Sequence, residues 1–116
     1  MRPKQLPPDA YFAGLIDGEG WIGISTVWRT ERASYKQTAV VQVGMTNWPV
    51  VEALQQRWPG HLFEKKRARE HWKDQLVWRV TGIHTRQVLY AIRPYCLVKH
   101  DDIEAVLMFL RERHGI

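Results

Sequence analysis

Hydrophobic positions along this chain change their spacing several times, and each change marks a new element. Over residues 8–19, Phe12, Leu15 and Ile16 recur at the i, i+3, i+4 spacing that gives a helix one apolar face, and Pro8 and Asp9 suit its first turn. Gly18 and Gly20 end that helix. Residues 21–29 and 35–46 alternate on a two-residue period around the polar turn Thr30-Glu31-Arg32-Ala33-Ser34, which predicts an antiparallel hairpin. Asn47-Trp48-Pro49 opens a second helix through Val51, Leu54 and Gln55 to Trp58, where Pro59-Gly60 stops it. A second strand pair follows over 61–67 and 75–81, with the charged linker 68–74 between. Helices over 85–92 and 101–113 complete the order, the last with Asp101 and Glu104 at capping-box spacing.

The order α-β-β-α-β-β-α-α predicts an α+β fold over 1–116, one domain with a mostly antiparallel four-stranded sheet and helices on one face. Strand alternation assigns the two faces. Ile22, Ile24 and Trp28, then Ala39, Val41, Val43 and Met45, then Leu76, Trp78 and Val80 point to the core. The other face mixes polar and basic residues, and its candidates are Ser25, Arg29, Lys36, Thr38, Gln42, Lys65, Arg67, Gln75 and Arg79. Such a face fits a β-ribbon in a DNA major groove, where Arg and Lys favour guanine edges and Gln favours adenine. It equally fits a solvated sheet. Trp28, Trp58 and Trp78 are expected in the core.

Composition narrows the class. Apolar residues are 45% and charged residues 25%, the balance of a folded soluble protein. The longest strongly apolar stretch, 105–110, is too short to span a bilayer, and no apolar secretory core follows the first residues. An intracellular setting is expected, bacterial cytoplasm or organelle, with no membrane partner and no small-molecule substrate. Cys96 is the only cysteine, which excludes an intrachain disulfide and a thiolate zinc cluster and suits a small buried hydrophobe. His61, His71, His84, His100 and His114 show no metal-ligand spacing. The net charge of +5 favours a polyanionic partner without saying which. Arg69, His71 and Lys73 are phosphate contacts or solvated charges.

The most informative segment is Phe12-Ala13-Gly14-Leu15-Ile16-Asp17-Gly18-Glu19-Gly20. Gly14 and Gly18, four apart, leave a bare strip along the helix where a second helix can approach to backbone contact. The natural partner is the same helix of a second copy, and a two-fold axis between them would bring the two Glu19 side chains together. A carboxylate at a helix C-terminus is electrostatically unfavourable, so Glu19 is a poor structural choice, although a plain surface acid remains the simpler reading.

The segment resembles the motif of the LAGLIDADG homing endonucleases, departing at Phe12 for Leu, Gly18 for Ala and Glu19 for the second Asp, a change that keeps the carboxylate. The resemblance implies the family's saddle-shaped sheet. It also implies an intron-encoded, single-motif nuclease that cuts both strands of a long near-palindromic double-stranded DNA as a homodimer, with Mg²⁺ or another divalent cation. Glu19, with Gly18 beside it, would hold the metal; Asp17, with Gly14 and Gly18, would belong to the paired helices. Asn47 stands where the family carries a polar residue near the attacking water, and it equally suits a helix N-cap. Lys99 resembles the family's active-site lysine. The rivals are an RNA-binding maturase on the same scaffold and a DNA-binding regulator; the second would tolerate loss of Glu19 and Lys99.

Overall fold

The computed structural model describes residues 5–70 and 72–115. Its elements follow the expected order: α1 (Asp9–Glu19), β1 (Gly20–Arg29), β2 (Ser34–Met45), α2 (Trp48–Arg57), β3 (His61–Lys65), β4 (Gln75–Thr81), α3 (Thr85–Ile92) and α4 (His100–His114). The strands form one antiparallel sheet in the order β1-β2-β4-β3. Helix α1 passes into β1 with no loop between them. The end of the motif therefore lies at the start of the sheet.

Helices cover one sheet face. Phe12, Ala13 and Ile16 of α1 pack with Val51 and Leu54 of α2, Val88, Leu89 and Ile92 of α3, and Ile103, Val106 and Leu110 of α4. The sheet supplies Ile22, Ala39, Val41, Val43, Leu76, Trp78 and Val80, the inward set expected from alternation. Trp58 and Trp78 are buried as expected, and the Trp78 indole donates from Nε1 to the Trp58 carbonyl at 2.8 Å, which satisfies its one polar atom. Asp9 at the start of α1 accepts two bonds from Arg57, at 2.8 and 3.0 Å, tying the motif helix to α2.

Three expectations are corrected. Trp28 is 51% exposed and packs edge-on against exposed Tyr35, with centroids 4.9 Å apart. It lies six residues beyond Ile22, about 20 Å along the strand, past the helices that cover the inner face. Strand β3 ends at Lys65, so Arg67 lies off the sheet. Asp74 takes the Arg67 N–H at 3.1 Å and the Lys66 ammonium at 3.2 Å, curling the chain away from the ladder. The capping box is not formed: α4 begins at His100 with Lys99 at its N-cap, and Glu104 instead takes two bonds from Arg93, at 2.6 and 2.9 Å. The open face carries the valines that alternation places there. Val40 and Val77 on it are buried, and Val77 covers Gly44, where an added Cβ would meet its methyl at 3.1 Å.

Candidate nucleic-acid interface and active site

Two features of the chain meet at one end of the sheet. The first is the C-terminal end of α1. Asp17 accepts backbone N–H bonds from Leu97 at 3.0 Å, Val98 at 3.1 Å and Lys99 at 2.8 Å. Burial pushes its carboxyl up, but the three backbone donors and the Lys99 charge outweigh that and hold it below the usual carboxylate range. In return the Lys99 ammonium donates to the Asp17 carbonyl at 2.6 Å, placing a cation at the negative end of the helix. The Asp17 carboxylate is thus occupied by backbone donors of its own chain. Cys96, one residue before this clasp, donates to the Ala13 carbonyl at 3.6 Å, and burial pushes its thiol up to about 11, so it is an inert packing group.

Glu19, the last residue of α1, is exposed and has no hydrogen-bond or ion-pair partner among the described residues. No group of three or more His, Cys, Asp or Glu able to hold a metal occurs among the described residues. The donor set at this helix end is therefore one free carboxylate beside the Gly18 carbonyl, in the last turn, where carbonyls lack intrahelical partners. That set fits a hydrated cation of the Mg²⁺ type, which takes one or two carboxylates and completes its shell with water and phosphate. Asn47 follows β2 at the N-cap of α2, exposed, and its side chain makes no cap bond. The cap role that competed for it is not in use.

Gly14 and Gly18 are exposed, and a Cβ added at either would meet nothing within 4 Å. Neither glycine is required by packing among the described residues. Beside them, Leu97 and Val98 are 89% and 77% exposed, an unusual degree for aliphatic side chains tethered by their own backbone.

The second feature is the open sheet face. Ser25 stands opposite Thr38, Arg29 opposite Ser34, Lys36 opposite Val27, Gln42 opposite Arg79 and Lys65 opposite Gln75. Every candidate reader except Arg67 is on this face. A shallow depression of about 470 Å³ runs across it from Trp21 and Ser25 to Arg79 and Thr81. Arg29 donates to Ser34 at 3.3 Å, while its Nε is buried without a partner among the described residues. Trp21 was not singled out by sequence, yet its ring lies across Gly23, where a Cβ would come within 2.7 Å of the indole. The signal was present as a Trp-x-Gly spacing on one strand face. Arg69 and Lys73 lie in the exposed β3–β4 connection, and His71 lies outside the described residues. No described helix is long and apolar enough to cross a membrane.

No family model and no curated protein matches the sequence. Among solved structures, the chain is similar to the homing endonuclease I-CvuI in complex with the I-CreI target, with a TM-score of 0.74 and 20% identity over 89% of this chain and 65% of that one. It is similar to the homing endonuclease I-TnaI, at TM-score 0.73 and 15% identity over 96% of this chain and 77% of that one. It is also similar to the group I intron-encoded I-CeuI complexed with DNA, at 0.73 and 14% over 98% and 59%. The chain spans slightly less than two thirds of the I-CvuI chain. With the motif on α1, the four antiparallel strands and the helices on one face all in place, this chain has the fold of the LAGLIDADG homing endonucleases.

Proposed function

We propose that the chain is a metal-dependent, single-motif homing endonuclease that hydrolyses both strands of a long near-palindromic DNA site as a homodimer. The observation that supports it best is the state of Glu19: a free carboxylate at the end of a helix whose exposed face is bare, beside a sheet face of Ser, Thr, Gln, Lys and Arg. A second copy of α1 laid along Gly14 and Gly18 would pair the two Glu19 carboxylates, one for each scissile phosphate.

In this reading Glu19 and the Gly18 carbonyl hold the divalent cation. When bound, that ion supplies Lewis-acid stabilisation of the phosphate and a lowered pKa for attacking water. Lys99 is fixed by its bond to the Asp17 carbonyl, and an ammonium with three donors keeps others free for a phosphate oxygen as charge builds there. Asn47, with an unused amide, orients water. A water oxygen forms the new bond to phosphorus, the bond to the 3′ oxygen breaks, and no covalent intermediate with the protein is needed. Ser25, Arg29, Lys36, Thr38, Gln42, Lys65, Gln75 and Arg79 would face the groove, while Arg67 lies off the sheet with its Nε on the Lys73 carbonyl.

The test is selection of cleaved sites from a randomised near-palindromic library with Mg²⁺, comparing wild type with Glu19→Gln. Wild type is expected to select and cut one site, and Glu19→Gln to bind that site while cutting about 100-fold more slowly or worse. If wild type binds structured RNA but cuts no DNA, the maturase reading replaces this one. If Glu19→Gln cuts normally, the metal assignment is wrong and the enzyme class stands.

A further inference from the structure

Across the open face, near the start of β1 and β3, one residue from each strand stands in a transverse row. Trp21 of β1 is opposite Gln42 of β2, Gln42 is opposite Arg79 of β4, and Arg79 is opposite His61 of β3. Within that row the Arg79 side chain is already fixed. Its Nε donates to Gln42 Oε1 at 2.7 Å. Its guanidinium carbon lies 5.1 Å from the Phe63 ring centroid, and that ring packs in turn on His61. The terminal nitrogens, Nη1 and Nη2, have no partner among the described residues.

A guanidinium tied down through Nε presents its two terminal nitrogens as a fork. That fork matches N7 and O6 on the major-groove edge of guanine, two acceptors side by side. Strand β4 has a neighbour on each side, so Arg79 points from the middle of the sheet rather than from the rim where phosphates would pass. Holding the side chain in advance also lowers the ordering cost of binding. The same bond changes the role of Gln42. A glutamine that reads adenine uses Oε1 to accept from the base amino group and Nε2 to donate to N7. Here Oε1 already accepts from Arg79.

We propose that Arg79 reads a guanine in each half-site, aimed by Gln42 and Phe63, and that Gln42 positions Arg79 rather than reading an adenine by itself. This inference rests on the endonuclease reading above. Site selection from the randomised library is repeated with Arg79→Ala, Gln42→Leu and the double variant. Wild type is expected to demand guanine at one position per half-site. Arg79→Ala should reduce that preference about 10- to 100-fold and leave other positions unchanged, which also reports that the variant is folded. Gln42→Leu should weaken guanine at the same position, and the double variant should be no worse than Arg79→Ala alone. For variants that cut too slowly to select, binding to the wild-type site and to the same site with that guanine replaced gives the same comparison. The inference is overturned if Arg79→Ala leaves every preference intact, or if Gln42→Leu acts at a different position. Wild type selecting no DNA site at all sinks the endonuclease reading and this inference together; a selected site that ignores Arg79 sinks this inference alone.

Discussion

Asp17 turns its carboxylate inward onto three backbone donors, and the consequence is measurable. Replacing it by Asn leaves an amide that cannot accept all three, at a cost of about 1 kcal/mol at neutral pH because the donors lie near solvent. The sign of the pH dependence follows from the lowered carboxyl: its contribution is fully present above the ordinary Asp value of about 4 and is lost as pH falls through the lower folded value. Thermal melts of wild type and Asp17→Asn should therefore differ at pH 7, and the difference should begin to shrink only as pH falls below about 4. Sequence marked Asp17 as structural from its place in the motif, but not its partners. Residues 97–99 lie some eighty positions away, and no local pattern links them. Trp28 shows the opposite gap, where alternation gave the strand face correctly but not how far the helices extend over it.

Helix α1 carries a cost that its own chain does not explain. Each interior glycine destabilises a helix by about 0.5–1 kcal/mol relative to alanine, and neither Gly14 nor Gly18 is needed by a neighbour among the described residues. Gly14→Ala should accordingly raise the stability of a monomer by up to about 1 kcal/mol, whereas Gly14→Leu should drive a dimer apart by holding the helices off each other. Sedimentation of both variants separates the cases: a wild-type monomer unaffected by Gly14→Leu, free and on DNA, would end the paired-helix model. Element types were legible because the hydrophobic period switches cleanly, and the whole order from α1 to α4 follows from it. Element ends were less so. Asp74 shortened β3 by gathering Arg67 and Lys66, and Arg93 drew Glu104 out of its capping position, both through partners that spacing rules do not see.

For the whole molecule, if the proposed DNA partner is right, a net charge of +5 on the chain puts electrostatics behind affinity and the sheet face behind selectivity. Raising salt from 50 to 200 mM should weaken binding about 10³- to 10⁵-fold if six to ten phosphates are neutralised, with little change in which site is preferred. Titration of both a selected and a scrambled duplex checks this, and salt-insensitive binding would contradict it. The chain's path adds a constraint of another kind. The sheet closes with β4 at Thr81, yet the clasp on the motif helix waits for residues 97–99. Joining points that far apart means closing a long loop, a slow and entropically costly event in folding. On the endonuclease proposal this orders assembly: a partly folded chain would have its sheet face before its motif helix is locked, so the capacity to hold DNA would precede the capacity to cut it.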